Sequence, residues 1–145
     1  MPAAVRVAVV DDDASIRRAM ARLLVALGFE VSVFASADEL LTRINEIRPD
    51  CLLLDLHLPA FGGLDLDALL VRLNRPLPTV FMTGDEELAR TSRMRRPGAA
   101  CLTKPVEDET LLAAIGEATT CLARESAAGA LIPLFTRRRS RASAR

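Results

Sequence analysis

Three apolar segments of this chain run into charged residues. Val7–Val10 is followed by Asp11-Asp12-Asp13, Cys51–Leu54 by Asp55, and Ala99–Thr103 by Lys104. A fourth apolar segment, Thr79–Met82, is followed by the hydroxyl of Thr83. Lys104 is the sole lysine; every other basic residue is arginine. An apolar run ending in a charge is how a buried parallel strand delivers a polar group to the carboxyl edge of a sheet. Deliveries of this kind predict one pocket holding carboxylates, a lone ammonium and a hydroxyl. Carboxylates about 4 Å apart repel by roughly 1–4 kcal/mol per pair at effective dielectrics of 80 to 20. Such a cluster either takes up a proton or recruits a cation. All-oxygen ligation with retained waters suits Mg2+ better than zinc. The chemistry these groups fit is a divalent metal and a phosphoryl group, where positioning and charge neutralisation carry most of the catalysis. Lysine, a compact charge on a flexible stem, can follow a phosphate from free to bound.

The elements that must position these groups are legible from apolar periodicity. Val5–Val10 reads as a valine-rich strand. From Ala14, apolar residues at Ile16, Ala19, Met20, Leu23, Leu24 and Leu27 line one helix face, which Gly28 closes. Glu30–Phe34 alternates as a second strand. Ser36-Ala37-Asp38-Glu39 spells a capping box, with serine reaching the backbone of Glu39 and the glutamate reaching back to the serine N–H. The helix it opens runs to Ile47, before Pro49. Cys51–Leu54 is apolar on both faces, as a central parallel strand is. A helix over Leu64–Leu73, a strand over Thr79–Met82, a charged helix over Glu86–Arg96, a strand over Ala100–Leu102 and a helix from Asp108 to about Ala123 complete the pattern. Strand and helix alternate five times, which predicts an α/β fold with a doubly wound, five-stranded parallel sheet and right-handed crossovers.

Composition narrows the class. Half of the 145 residues are hydrophobic, with five phenylalanines and neither tryptophan nor tyrosine, so the core is aliphatic. The formal net charge of zero hides an asymmetry. Residues 1–120 carry 18 Asp and Glu against 13 Lys and Arg, whereas residues 121–145 carry Glu125 against six arginines. That segregation divides the chain into an acidic body, residues 1–123, and a basic, disordered tail, residues 124–145. Cys51, Cys101 and Cys121 lack the pairing of a disulfide framework or zinc site. Cys51 and Cys101 read as small core residues. With neither a secretory signal pattern nor an apolar run of about 18 residues, a reducing, cytoplasmic location follows.

The motifs Val9-Val10-Asp11-Asp12-Asp13, Leu54-Asp55-Leu56-His57-Leu58-Pro59, Met82-Thr83-Gly84 and Leu102-Thr103-Lys104-Pro105 together resemble the receiver domain of two-component response regulators. The similarity covers roughly residues 5–120 and implies the flavodoxin-like receiver fold. It implies that Asp55 accepts a phosphoryl group from a sensor histidine kinase or histidine phosphotransfer protein. It implies Mg2+ held by Asp12 directly, Asp11 through water, Asp55, and the backbone carbonyl of His57. Thr83 resembles the residue whose hydroxyl bonds the phosphoryl oxygen. Lys104 resembles the lysine that pairs with Asp55 and then with phosphate, followed in the family by a cis peptide bond to proline. The side chains of His57 and Asp85 fall where receivers vary and where the lifetime of the acyl phosphate is adjusted. Asp13 reads instead as the cap of the following helix.

Two features depart from that family. Cys101 stands where an aromatic ring usually sits, three residues before the lysine, and the interval from Gly98 to Lys104 is one residue short. The aromatic readout cannot work as usual, so the output is expected to use a rearranged segment after Thr83 or a partner that senses the site directly.

These expectations define a stand-alone receiver that is not an enzyme beyond its own phosphorylation and dephosphorylation. It would act by switching protein–protein contacts, as a monomer or a phosphorylation-dependent dimer. About 25 residues after the body are too few for a helix-turn-helix domain with its own core. The alternative is a transcriptional or nucleic-acid-binding regulator acting through a partner or the arginines at 137, 138, 139, 141 and 145, whose weak anion contact would carry little sequence specificity. A third class, a metal-dependent phosphatase, needs an acid–base aspartate two residues beyond the nucleophile, and His57 occupies that place.

Overall fold

A computed structural model describes residues 4–59, 62–85 and 98–129, with side chains to residue 120. Strand β1 (Arg6–Val10) leads into helix α1 (Ala14–Ala26), β2 (Glu30–Phe34), α2 (Ala37–Ile47), β3 (Cys51–Asp55), α3 (Gly63–Arg72) and β4 (Thr79–Thr83). Strand β5 (Ala99–Thr103) and helix α4 (Asp108–Gly129) follow. All strand pairs are parallel and the order is β2-β1-β3-β4-β5. This is the doubly wound, flavodoxin-like arrangement, whose direction of winding reverses between β1 and β3. Ligands in such sheets bind outside the carboxyl ends of the strands, at that reversal.

The period-2 alternation of the strands divides the core into two layers. Val7 and Val9 of β1, Cys51 and Leu53 of β3, and Val80 and Met82 of β4 face Leu24 of α1 and Leu111 and Ile115 of α4. Ala8, Val10, Leu52, Leu54 and Phe81 face Leu40 and Ile44 of α2 and Leu66 and Leu70 of α3. Strands β3 and β4 are buried throughout, which is why both read as unbroken apolar runs. Burying a leucine side chain contributes about 1.5–3 kcal/mol, so the central strands anchor the sheet edge on which the polar groups stand.

Local rules account for the helix ends. Asp13 accepts the Ser15 and Ile16 N–H groups at the start of α1, as expected of a cap. At its other end Gly28 has φ +98°, a left-handed conformation that disfavours other residues. At α2, Ser36 Oγ accepts the Glu39 N–H at 3.2 Å. The reciprocal bond differs from expectation: Glu39 Oε1 accepts the Ala35 N–H at 3.3 Å rather than that of Ser36. The glutamate thus secures the chain one residue farther back, where β2 has just ended.

Other boundaries shift modestly. Strands β3 and β4 include Asp55 and Thr83, because ladder hydrogen bonds continue through the polar residues that close them. Strand β5 pairs with β4 along its whole length, Thr79 to Ala99 through Thr83 to Thr103, so the short Gly98–Lys104 interval leaves the strand in register. Helix α4 runs on to Gly129, past the expected end near Ala123. No proline occurs between Val106 and Ile132, and alanines at 123, 127 and 128 favour helix. The expected helix over Glu86–Arg96, the side chain of Cys121 and the chain after Gly129 lie outside the described residues. No helix among the described residues is long and apolar enough to cross a membrane.

Candidate functional site

Each polar group at the sheet edge is placed by a ladder hydrogen bond that outlasts its strand. The Asp11 N–H donates to the Phe34 carbonyl at 3.1 Å, so β1 stays paired with β2 one residue beyond its end. The Leu56 N–H donates to the Met82 carbonyl at 2.9 Å, which holds the backbone beside Asp55. The Lys104 N–H donates to the Thr83 carbonyl at 2.7 Å. Three loops separated by tens of residues are thereby fixed against one sheet.

The side chains converge. One carboxylate oxygen from each of Asp11, Asp12 and Asp55 lies within 4.8 Å of the others. Asp11 and Asp55 are buried and Asp12 is exposed. Lys104 Nζ donates to Asp11 Oδ2 at 2.9 Å and lies 3.6 Å from Asp55 Oδ2. The peptide bond from Lys104 to Pro105 is cis. Asp11 Oδ1 also accepts the Asp13 N–H at 3.0 Å, and Asp55 Oδ1 accepts the His57 N–H at 2.9 Å. Each buried carboxylate therefore has a backbone donor on one oxygen and shares the ammonium on the other. Charge-assisted bonds of this kind offset the cost of taking carboxylates out of water.

One ammonium against three carboxylates leaves the cluster net negative. The open lone pairs belong to hard oxygen donors, and Asp12 is exposed to solvent. This donor set fits a hard divalent cation that keeps several waters. Among the described residues, it is the one grouping of three or more acidic, cysteine or histidine side chains that could hold a metal ion.

Thr83 closes the site on the β4 side, with its hydroxyl accepting the Asp85 N–H at 3.0 Å. His57 is exposed, yet its ring is engaged: Nε2 lies 3.0 Å from Thr83 Oγ1. Periodicity and spacing give no signal for this contact, which joins residues on neighbouring strand ends.

Two further contributors escape a reading by motif. Arg17, in the first turns of α1, donates through Nη1 to the Asp11 carbonyl at 2.7 Å and braces the acidic turn. Gly63, at the start of α3, lies so close to β3 that a Cβ there would sit 2.7 Å from the Asp55 carbonyl oxygen. The Gly62-Gly63 pair was the available signal, since adjacent glycines before a helix mark a close backbone approach.

Residues 7–116 match the family described as the response regulator receiver domain. The chain is similar to nodulation protein W of Bradyrhizobium diazoefficiens, 41% identical over 112 residues that cover 77% of this chain and 49% of that protein. It is similar to the DNA-binding response regulator MtrA of Mycolicibacterium paratuberculosis, 33% identical over 111 residues, covering 76% of this chain and 49% of that one. Among solved structures, the CheY-like receiver domain protein of Methanospirillum hungatei matches with a TM-score of 0.72 at 29% identity, over 85% of this chain and 99% of that one. The chain spans about half the length of the curated relatives it matches.

Proposed function

The chain belongs to the response regulator receiver domain family, and from that premise we propose that Asp55 accepts a phosphoryl group from the phosphohistidine of a sensor kinase or phosphotransfer protein. A carboxylate oxygen of Asp55 forms the bond to phosphorus as the phosphorus–nitrogen bond of the donor breaks. The nitrogen keeps that electron pair, and the donor imidazole, already protonated on its other ring nitrogen, leaves neutral. Asp12 and Asp55 would hold Mg2+ directly, with Asp11 through water and the carbonyl of His57 as a further ligand. The ion, when bound, draws negative charge from the phosphoryl oxygens. Lys104 orients Asp55 and then pairs with the phosphoryl group. Thr83 donates its hydroxyl proton to a phosphoryl oxygen.

The observation that carries this reading is the convergence of the three carboxylates on one ammonium, with Lys104 Nζ 2.9 Å from Asp11 and 3.6 Å from Asp55. The residues at the site would move a phosphoryl group onto the chain itself, and the activity proposed is limited to that phosphorylation and its reversal. The receiver unit is residues 1–123 and the basic tail residues 124–145, with the last helix carrying on into the tail as far as Gly129. The protein works in the cytoplasm, switching contacts with a downstream protein as a monomer or a phosphorylation-dependent dimer.

The test is incubation with Mg2+ and acetyl phosphate, read by intact mass. One added phosphoryl group is expected on the wild type, absent without Mg2+ and absent in Asp55→Asn. Equal labelling of the variant would refute the assignment of Asp55. Turnover of many equivalents of a phosphomonoester would instead support a phosphatase.

The similarity to MtrA, a DNA-binding response regulator, favours a second reading, a DNA-binding regulator. Here the arginines after residue 136 would supply the phosphate contacts. Salt-sensitive DNA retardation lost on deleting residues 129–145 would support it.

A further inference from the structure

Thr83 ends β4 fully buried, and its hydroxyl has one proton to give and two lone pairs with which to receive. Oγ1 receives the Asp85 N–H at 3.0 Å and lies 3.0 Å from His57 Nε2. Among the described residues these are the hydrogen-bond neighbours of that oxygen. A buried hydroxyl proton without an acceptor is disfavoured, and Nε2 is the acceptor within reach. Directing the Thr83 proton at Nε2 satisfies it, and this requires the ring tautomer with Nε2 unprotonated. The imidazole then carries its own proton on Nδ1, on an exposed ring that water can solvate.

We propose that His57 is a positioning residue that latches Thr83 in the unphosphorylated protein, and that capture of a phosphoryl group at Asp55 releases the latch. The inference rests on the reading of Asp55 as phosphoacceptor and follows from a proton count. A phosphoryl oxygen accepts hydrogen bonds and donates none. Thr83 has a single proton, so it serves either the ring or the phosphoryl group. When it turns to the phosphoryl group, Nε2 loses its donor and the ring exchanges that partner for water. His57 is placed to register the event at both ends, because its backbone N–H holds Asp55 Oδ1 at 2.9 Å while its ring holds Thr83. The release supplies a readout on the loop after β3, in a chain whose Cys101 leaves the aromatic position empty of a ring.

His57 is the only histidine, so nitrogen-15 spectra report its two ring nitrogens without overlap. In mildly alkaline buffer the wild type is expected to carry its proton on Nδ1. Thr83→Ala should shift the ring toward the Nε2–H form that free imidazole side chains prefer in water, and Thr83→Ser, which keeps the hydroxyl, should restore the wild-type pattern. Adding Mg2+ and beryllofluoride should move the wild-type ring signals to the Thr83→Ala pattern, with fluorine spectra reporting occupancy of Asp55 in the same sample. His57→Ala should tighten beryllofluoride binding by roughly 2- to 10-fold, the equivalent of one neutral hydrogen bond removed from the free state. Ring signals unchanged by Thr83→Ala overturn the latch. Beryllofluoride bound with ring signals unmoved overturns the release while the phosphoacceptor reading stands. Fluorine spectra showing no bound species sink that reading and the release with it, and the comparison with Thr83→Ala still decides the latch.

Discussion

Lys104 Nζ sits 2.9 Å from Asp11 Oδ2, closer than the 3.6 Å that separates it from Asp55 Oδ2. The lysine that the sequence pairs with Asp55 thus makes its shorter bond to the neighbouring strand. The geometry is sensible because Asp11 is the more deeply buried carboxylate, and a buried charge without a partner is strongly destabilising. Lys104→Met removes the positive charge from both carboxylates at once. We expect a loss of about 1–3 kcal/mol, less than for a sealed pair because the Lys104 side chain is 22% exposed. Mg2+ should stabilise this variant more than the wild type, since the ion then neutralises carboxylates that have lost their counter-charge. Urea titrations with and without Mg2+ measure both effects. Equal stability of the two proteins without metal would show that the ammonium is not what holds the pair.

The first turn of α1 carries a pH dependence of its own. Hydrogen bonds from the Ser15 hydroxyl and then the Ser15 and Ile16 N–H groups hold the Asp13 carboxyl below its ordinary value of 3.8. A carboxyl depressed in the folded state stabilises fully above its unfolded value, and that contribution disappears as pH falls through the folded value. Asp13→Ala should therefore unfold at lower urea than the wild type at neutral pH. The gap should narrow only below about pH 4, near the unfolded value. A gap that stays constant down to acid pH would mean that the cap acts without its charge.

Much of this is legible in the amino-acid sequence. The unbroken apolar runs of β3 and β4 gave the parallel sheet, and the charged residue after each run gave the sheet edge. Alternation of strand and helix implies right-handed crossovers, and the strand ends mark the site, whereas the order β2-β1-β3-β4-β5 is seen only in the structure. What stayed hidden depends on distances across strands. The bond from His57 to Thr83 joins residues 26 positions apart, and the preference of Lys104 for Asp11 turns on less than 1 Å. Neither leaves a trace in periodicity. The end of α4 departs from expectation because charge marks a solvated tail whether or not the backbone is helical.

Cys51 gives a cleaner test of the core. Burial, with a smaller contribution from the Asp50 charge, pushes its thiol up to about 12. The thiolate is the reactive form, so near neutral pH almost none of it is available. Burial also raises the Cys101 thiol, but that residue is only half-buried. Iodoacetamide in native buffer should alkylate Cys101 ahead of Cys51, which it should reach only at the rate of unfolding. Peptide mapping over time distinguishes them, and equal rates would show that β3 is open to solvent.

Gly63 and Gly62 are adjacent in sequence and differ in what surrounds them. A Cβ on Gly62 would meet its nearest atoms at 3.7 Å, whereas one on Gly63 would meet the Asp55 carbonyl oxygen at 2.7 Å. Alanine ordinarily favours a helix over glycine by about 1 kcal/mol, so propensity alone predicts that Gly63→Ala stabilises α3. The clash is with backbone and cannot be relieved by a rotamer change. Either α3 or the end of β3 must move, at a cost of about 1–3 kcal/mol typical of overpacking. Gly62→Ala should be close to neutral, and Gly63→Ala should lose stability and slow labelling of Asp55 by acetyl phosphate. Because the two contributions have opposite signs, the direction of the change is itself diagnostic. A Gly63→Ala protein at least as stable as Gly62→Ala would mean that α3 does not press on the backbone at the end of β3.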